Sequence, residues 1–197
     1  MLNIFNKHKL GLTEDNFNSS LPEYLQDKSK RFFTPFHIAH TATDWLTEDG
    51  KKTILDIGAG IGKFCIAGAT CSDSFFCGIE YRPSLAKIAN ELIIKFNIAN
   101  AIVLQGDITE IDFKNFDAFY LYNPFFENLI PSLRLNNEVK LATSLYAYYF
   151  KHTEKHLAET KSGTRLVTYH GNNFEVPRSF SKVKESKDGT LKLWIKK

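Results

Sequence analysis

A glycine-rich turn preceded by an acidic residue is the feature of this 197-residue chain that most directly indicates chemistry. Asp56 stands before Gly58, Ala59, Gly60 and Gly62. Glycine permits positive φ and lets a ligand lie against the backbone. The G-x-G-x-G spacing differs from the G-x-G-x-x-G fingerprint of dinucleotide sites, and no G-K-[ST] sequence follows, which disfavours a phosphate-cradling loop. The turn therefore predicts a site for a neutral or zwitterionic ligand.

Acidic residues also follow the next two predicted strands. Glu80 lies 22 residues beyond Gly58, about the interval at which an acid reaches the two hydroxyl groups of a ribose. Asp107 follows the third strand, where its carboxylate can accept from an exocyclic amine while Ile108 packs on a ring. Asp107 fits a helix N-cap equally well.

The fourth predicted strand leads into Asn123-Pro124-Phe125-Phe126. The side-chain oxygen of Asn123 and the nearby backbone carbonyls suit an amino group whose lone pair points at an electrophile. A plain turn after a buried strand is the alternative interpretation. The segment from Phe125 to Asn137 alternates polar and apolar residues, which is typical of a pocket rim or lid that carries acceptor specificity.

Short apolar strand signals alternate with helical ones from Lys52 onward, which predicts a parallel sheet with crossover helices. An amphipathic helix follows Pro83, a longer helix fits Asn137 to Glu159, and a hairpin fits Phe180 to Trp194. We expect an α/β fold of three layers: a mostly parallel seven-stranded sheet that ends in an antiparallel hairpin. The crevice then lies at the carboxyl ends of the strands. The five predicted parallel strands are Thr53 to Ile57, Phe75 to Glu80, Ala101 to Gln105, Phe116 to Tyr122 and Thr164 to Tyr169.

The segment before the sheet divides into a polar start and two predicted helices. The first 20 residues show no sustained period and predict a tail or a loosely docked arm. One helix begins near Leu21, and another has Thr34 as N-cap and Pro35 as first residue. We expect residues 1–50 to be a helical extension that closes a pocket in the domain 51–197.

Composition limits the class of protein without naming a partner. The net charge is +3, but residues 161–197 hold nine basic and three acidic side chains, so the terminal hairpin is the basic part. No apolar stretch is long enough for a membrane span or a secretory signal, so we expect a cytoplasmic protein without a membrane partner. Three cysteines without a C-x-x-C pair predict reduced thiols.

The order of these motifs resembles the class I S-adenosylmethionine-dependent methyltransferases, which have a Rossmann-like fold, from about Lys52 to Lys197. The resemblance implies S-adenosylmethionine as cofactor, with its methionine portion on Asp56 and the glycine turn, its ribose on Glu80 and its adenine near Asp107 and Ile108. The last two strands of that family also look like the predicted hairpin. The cofactor site expected on this basis comprises Thr34, Asp56, Gly58, Ala59, Gly60, Gly62, Glu80, Tyr81, Asp107, Ile108 and Asn123.

Two narrower resemblances concern the methyl acceptor. Phe32-Phe33-Thr34-Pro35 resembles the segment that lines the methionine side of the pocket in adenine-N6 DNA methyltransferases, but in Asn123-Pro124-Phe125-Phe126 a phenylalanine replaces the second proline of their motif. The glycine turn and Gly78-Ile79-Glu80 are similar to the Dot1-type lysine methyltransferases, in which an asparagine follows strand four.

These resemblances imply methyl transfer to an amine or amide nitrogen of a protein or small molecule, with Asn123, Pro124 and Phe125 as catalytic residues. The alternatives are an adenine-N6-type nucleic-acid methyltransferase and a cofactor-binding module without catalysis. A nicotinamide-dependent oxidoreductase is disfavoured by the glycine spacing and by the lack of a Tyr-x-x-x-Lys pair after strand four. The identity of the acceptor and the oligomeric state do not follow from the sequence.

The histidines add one alternative. His170 follows the fifth strand and is the predicted general base if the acceptor atom is oxygen. Two further pairs, His37 with His40 and His152 with His156, have helical metal-ligand spacing but no evident third ligand. We therefore expect surface histidines and no metal site.

Overall fold

The computed structural model describes residues 11–170 and 176–197. Their seven strands form one sheet in the order β3-β2-β1-β4-β5-β7-β6, in which β1 to β5 are parallel and β7 is antiparallel to both β5 and β6. The predicted mixed sheet with a terminal hairpin is confirmed. The strands are β1 Thr53–Ile57, β2 Phe75–Glu80, β3 Ala101–Gln105, β4 Ala118–Tyr122, β5 Arg165–Tyr169, β6 Phe180–Glu185 and β7 Leu191–Lys196.

Helices cover both faces of the sheet, which gives the expected three layers. Along β1, Ile54 belongs to one hydrophobic core and Leu55 to the other, because successive side chains of a strand point to opposite faces. The first core includes α1 to α5, whereas Leu157 of α6 lies in the second. The helices are α1 Glu14–Ser19, α2 Glu23–Phe32, α3 Phe36–Leu46, α4 Lys63–Cys71, α5 Pro83–Lys95 and α6 Thr143–Ala158.

The prediction of a loose arm before Leu21 was wrong for residues 11–20, and the first ten residues lie outside the described ranges. Phe17 of α1 is fully buried, and its ring centroid lies 5.5 Å from that of Phe36. The segment is polar in composition, and Phe17 is the buried residue of its six-residue helix. The burial of that one ring docks the helix on the core. Residues 11–50 thus share the main core with the sheet.

Several boundaries differ from those predicted. β4 begins at Ala118 because Phe116 closes a 3₁₀ turn by donating to Phe113 O at 3.1 Å. Thr164 stands before β5 and donates its N–H to Lys161 O at 3.2 Å, in the turn that leads into the strand.

The predicted cap of α3 and the predicted start of α6 were also wrong. Pro35 is the N-cap of α3, while the Thr34 hydroxyl is used by Tyr120 on β4. α6 begins at Thr143, since the residues after Asn137 belong to the segment that crosses the cleft.

The terminal hairpin is basic in composition, but three of its lysines have internal partners. Lys182 pairs with Glu185, Lys184 pairs with Glu48, and Lys196 donates to Ala158 O at the end of α6. The charges of Lys182 and Lys184 are therefore balanced by carboxylates of the fold itself. Among the helices described, none has the length and apolar character needed to cross a bilayer.

Candidate active site

A cleft of about 560 Å³ opens at the carboxyl ends of the parallel strands, where the sheet order predicts a ligand. Its volume falls within the range of about 300–1,000 Å³ that is usual for ligand sites. Of the residues expected in the cofactor and catalytic sites, Gly62 is the one that does not line it. The predicted residues that do line it are Thr34, Asp56, Gly58, Ala59, Gly60, Glu80, Tyr81, Asp107, Ile108, Asn123, Pro124 and Phe125.

The glycine turn owes its shape to three residues in left-handed conformation. Gly58, Gly60 and Gly62 have φ values of 78°, 57° and 69°. A Cβ on Gly60 would lie 2.9 Å from Cε1 of Phe33, so the Phe33 ring packs directly on the turn. A Cβ on Gly62 would lie 3.0 Å from Cγ2 of Val103. Gly62 therefore lets α4 approach the sheet, and its place is behind the cleft rather than in it.

Glu80 fastens the glycine turn to the end of β2. Its carboxylate accepts from Gly60 N at Oε2 and from Arg82 N at Oε1, both at 2.9 Å. Burial raises the pKa of Glu80, against the opposing effect of these donors and the Arg82 guanidinium. Each carboxylate oxygen has a second lone pair. Glu80 can therefore bind ligand hydroxyl groups while it keeps both backbone contacts.

Asp56 lies at the end of β1 and is 4% exposed. Burial raises its pKa to about 7; the weak thiol donor Cys65 at 3.6 Å opposes this rise and the nearby charge of Glu80 adds to it. A buried carboxylate with so little compensation is costly. It suits a ligand that brings a positive charge into the cleft.

The turn after β4 contains two further left-handed residues. Asn123 has φ 40° and Phe125 has φ 70°, with buried Pro124 between them. Such conformations cost about 1–3 kcal/mol each in residues other than glycine, and asparagine tolerates them better than a bulky aromatic. A Cβ on Gly58 would lie 3.5 Å from Cβ of Pro124, so the two turns face each other. Sequence reasoning did not foresee either left-handed residue.

Asp107 is an N-cap, the second of the two roles that the sequence allowed for it. Its Oδ1 accepts from Thr109 N at 2.9 Å and so caps a 3₁₀ turn. Its Oδ2 accepts from the hydroxyl of Tyr149 on α6 at 2.9 Å. The Tyr149 ring stacks on Phe125 at 5.2 Å between centroids. Sequence reasoning missed Tyr149, because its partner lies 42 residues away and on another element.

A lid of residues 125–142 crosses the cleft. Arg82 forms an ion pair with Glu127 and donates from Nε to Asn136 Oδ1 at 3.1 Å. On α2, Lys28 Nζ donates to Leu135 O at 2.8 Å. The lid is thus attached to the elements on both sides of the cleft, and it extends beyond the predicted end at Asn137. Its apolar residues in the cleft are Phe125, Phe126, Leu133, Leu135, Val139 and Leu141.

The N-terminal helices form one wall of the cleft. The hydroxyl groups of Thr34 and Tyr120 are 2.9 Å apart, and the Tyr120 ring stacks on Phe64 at 3.8 Å between centroids. Lys63, the first residue of α4, is 1% exposed and donates to Glu14 and Ser29 at 2.7 and 3.0 Å. Sequence reasoning missed Lys63, since its polar partners come from helices far away along the chain.

The histidines of the described ranges 11–170 and 176–197 are not among the residues that line the cleft. His170 is exposed, has φ 55°, and packs on Tyr169 at 4.2 Å between ring centroids. The prediction of surface histidines was wrong for His40, whose Nε2 is buried, and for His152. Its Nε2 is buried, its ring centroid lies 4.2 Å from that of His156, and burial lowers its pKa.

The sheet order, the glycine turn after β1 and the acid at the end of β2 together define the fold of the class I methyltransferases. The family model described as "Methyltransferase domain" matches residues 48–189, and the chain belongs to that family. This membership leaves no place for the oxidoreductase alternative.

Individual relatives are more distant. A tRNA (guanine-N(7)-)-methyltransferase of Corynebacterium diphtheriae is 34% identical over 70 residues, which cover 34% of this chain and only 27% of that protein. Two solved structures share the fold alone. An RNA methyltransferase of Salinibacter ruber in complex with S-adenosyl-L-homocysteine has a TM-score of 0.55 at 21% identity, covering 82% of this chain and 92% of its own. Precorrin-6y C5,15-methyltransferase of Geobacter metallireducens GS-15 has a TM-score of 0.54 at 13% identity, and the match covers 85% of this chain and 92% of that one.

Proposed function

We propose that the protein transfers a methyl group to an amine or amide nitrogen of a protein or a small molecule. It is a methyltransferase, and S-adenosylmethionine is its cofactor. The observation that carries the nitrogen proposal is the left-handed Asn123-Pro124-Phe125 turn, which faces the glycine turn across van der Waals distance.

The chemistry of the cleft fits the cofactor. Asp56 offers a buried carboxylate to an ammonium group, and the left-handed glycines leave backbone open to a ligand. Glu80 has lone pairs left for ribose hydroxyl groups. In this proposal the methionine portion meets Thr34, Asp56, Gly58, Ala59, Gly60 and Asn123, the ribose meets Glu80 and Tyr81, and the adenine meets Asp107 and Ile108. Gly62 acts through the shape of the turn.

When bound, S-adenosylmethionine supplies a methyl group on a positively charged sulfur. The chain's own contribution is then orientation: Asn123 Oδ1 and the Pro124 carbonyl accept N–H bonds from the acceptor, which directs its lone pair toward the glycine turn. Phe125 packs on the carrier of that nitrogen. Correct orientation can supply about 7–11 kcal/mol of barrier reduction.

A nitrogen acceptor suits this cleft better than an oxygen acceptor. An alcohol needs a general base to take its proton, but His170, the base predicted for that case, is not among the residues that line the cleft. A neutral nitrogen attacks through its own lone pair, and its proton can pass to solvent after the methyl group has been transferred. Asn123 is half-buried and lines the cleft, which supports catalysis over a binding module without an acceptor site.

In this proposal, the extension predicted for residues 1–50 closes the cofactor pocket through its described part, residues 11–50. Phe33 packs on Gly60, and Thr34 lines the cleft. Protein and small-molecule acceptors are favoured over nucleic acid, because Lys182, Lys184 and Lys196 of the basic hairpin have partners within the fold. The short match to a tRNA methyltransferase makes RNA the alternative to be tested.

The decisive experiment combines a labelled methyl donor with fractionated cell extract and asks which fraction gains label. Asn123→Ala is compared with Asn115→Ala, an exposed asparagine in another 3₁₀ turn. We expect Asn123→Ala to lower turnover by about a hundredfold, the loss typical of misplaced reacting groups. Its affinity for S-adenosylhomocysteine should fall by less than about tenfold, because Asn123 is one of several residues that meet the methionine portion in this proposal.

Turnover by Asn123→Ala equal to that of Asn115→Ala would overturn the role of the turn. Label on an alcohol or carboxylate oxygen of the product would overturn the nitrogen assignment. Label confined to RNA would replace the proposed class of acceptor with nucleic acid.

A further inference from the structure

A buried side chain holds the Asn123-Pro124-Phe125 turn, called the acceptor turn below, in a form in which Asn123 and Phe125 are left-handed. Asn128 is 6% exposed, and it donates twice to the carbonyl oxygen of Phe125, from its backbone N–H at 2.9 Å and from its side-chain amide at 3.1 Å. Phe125 is the bulkier of the two left-handed residues. A residue of this kind keeps such a conformation only where the surrounding contacts fix it. Asn128 fixes the conformation of Phe125 by holding its carbonyl oxygen.

The other half of the Asn128 side chain reaches the far end of the lid. Its Oδ1 accepts from the backbone N–H of Ala142 at 3.2 Å. Ala142 is the N-cap of α6 and has no side-chain hydrogen bond of its own. A single amide therefore joins both ends of the lid. Its NH₂ group serves the acceptor turn, and its oxygen serves the start of α6.

The ring of Phe125 is fixed from the opposite side. It stacks on Tyr149 at 5.2 Å, and the Tyr149 hydroxyl donates to Asp107 at 2.9 Å. The backbone of the acceptor turn is thus held by Asn128, while its ring is held by a residue connected to the cap after β3. Loss of the Asn128 side-chain donor would remove one of the two hydrogen bonds to the Phe125 carbonyl and leave the ring contact in place.

We infer that Asn128 is a positioning residue for methyl transfer. It acts through Phe125: by keeping that residue left-handed, it sets the direction of the Pro124 carbonyl and the Asn123 side chain. The inference rests on the proposed function of the Asn123-Pro124-Phe125 turn. A misplacement of about 1 Å at such a site can cost about a hundredfold in rate.

Two substitutions separate the two halves of the amide. Asn128→Asp keeps an oxygen for Ala142 N but replaces the donor to Phe125 O with a second acceptor. Asn128→Ala removes both side-chain contacts, while the backbone N–H of residue 128 keeps its bond to Phe125 O. Asn115→Ala serves as control. The experiment measures labelled methyl transfer to the active extract fraction over a range of fraction concentrations. Titration with S-adenosylhomocysteine and thermal unfolding report on the fold.

We expect both Asn128 variants to lower kcat by at least about tenfold, while the half-saturating concentration of acceptor and the affinity for S-adenosylhomocysteine change by less than about threefold. Turnover by Asn128→Asp equal to that of the control would overturn the positioning role. So would a parallel loss of cofactor affinity, since that would make Asn128 a general support of the pocket. If Asn123→Ala loses activity and Asn128→Asp does not, this inference alone fails; if Asn123→Ala keeps full activity, the proposed function fails first.

Discussion

The ammonium group of Lys63 lies 2.7 Å from Oε1 of Glu14, at a point where the lysine is almost completely buried. The other carboxylate oxygen of Glu14 accepts from Phe36 N at 3.1 Å. One side chain thus connects α1 to the first residue of α4 and to the start of α3. This contact explains how a short polar segment is held against the glycine turn.

Replacing Glu14 with glutamine should destabilise the fold, because it leaves a buried ammonium without its charged partner. We expect a loss of about 1.5–3 kcal/mol, the usual contribution of a hydrogen bond to a charged group. For a chain of this size each kcal/mol lowers the Tm by about 2–4 °C. Thermal unfolding at neutral pH checks this, with the exposed residue Glu23 changed to glutamine as control.

The stabilisation by Glu14 should also depend on pH. Burial raises its pKa, but the hydrogen bond and charge of Lys63 outweigh burial and hold the pKa below its ordinary value of 4.5. The stabilisation is therefore present above that ordinary value and is lost as the pH falls through the lowered pKa. A stability difference between the unmodified protein and Glu14→Gln that persisted at strongly acidic pH would contradict this account.

Asp56 should show opposite effects on stability and on cofactor binding. Its pKa is raised to about 7 by burial, so its carboxylate form costs stability as the pH rises from about 4 toward 7. Asn fills the same space without charge, and we expect Asp56→Asn to raise the Tm by a few degrees at pH 8. The same change should weaken S-adenosylhomocysteine binding by at least about tenfold, since the ligand ammonium loses its counter-charge.

Calorimetric titration between pH 6 and pH 8 tests the proton linkage of Asp56. In the unmodified protein affinity should rise over this interval as the carboxyl group ionises, and in Asp56→Asn this part of the rise should disappear. Asp27→Asn, on the exposed surface of α2, should leave both stability and affinity unchanged. Equal pH profiles for Asp56→Asn and the unmodified protein would assign the linkage to another group.

Gly60 offers a test of the contact between the glycine turn and the N-terminal wall. An alanine there would place its Cβ 2.9 Å from the Phe33 ring at a φ of 57°. Gly163 has a similar left-handed φ of 82° with no atom within 4 Å of an added Cβ. We expect both alanine variants to lose about 1–3 kcal/mol of stability, but only Gly60→Ala to weaken S-adenosylhomocysteine binding. Equal affinities in the two variants would show that Phe33 adapts to the added methyl group.

The sequence was most informative where function depends on residues close together along the chain. The glycine turn, Glu80 and the Asn123-Pro124 pair each stand directly after an apolar run, so strand periodicity alone placed them at one edge of the sheet. Contacts between distant segments gave no such signal. Lys63 and Glu14 are 49 residues apart, and nothing in either local sequence points to the other.

Backbone conformation was the second feature that the sequence concealed. A glycine in the sequence indicates that positive φ is possible, but a phenylalanine gives no such indication. The left-handed conformation of Phe125 depends on the Asn128 amide. The late start of α6 was likewise concealed, because a contact between distant residues determines it. The residues after Asn137 have helical periodicity, yet Glu138 accepts from Ser84 N at 2.9 Å and holds this part of the lid over α5.

The ion pair between Arg82 and Glu127 should control how fast ligands leave the cleft. Arg82 also donates its backbone N–H to Glu80 and its Nε to Asn136, so it joins the end of β2 to two points of the lid. Its side chain is 12% exposed and that of Glu127 is 20% exposed, which leaves little room for screening by water. Glu127→Gln keeps the shape but removes the charge. We therefore expect S-adenosylhomocysteine to dissociate about tenfold faster, in line with about 1.5 kcal/mol for a charged hydrogen bond.

Stopped-flow displacement of S-adenosylhomocysteine measures this rate. The matched control is Glu91→Gln, which breaks the pair of Glu91 with Lys87 on α5. Both members of that pair are largely exposed and their charged atoms are 3.9 Å apart, so its loss should change neither stability nor dissociation, as is usual for exposed ion pairs. Because Glu127 belongs to the lid and pairs with Arg82 rather than with the reacting atoms, its substitution should raise the dissociation rate without a comparable fall in the association rate. A lower association rate with an unchanged dissociation rate would mean that the ion pair shapes the open cleft rather than holding the closed lid.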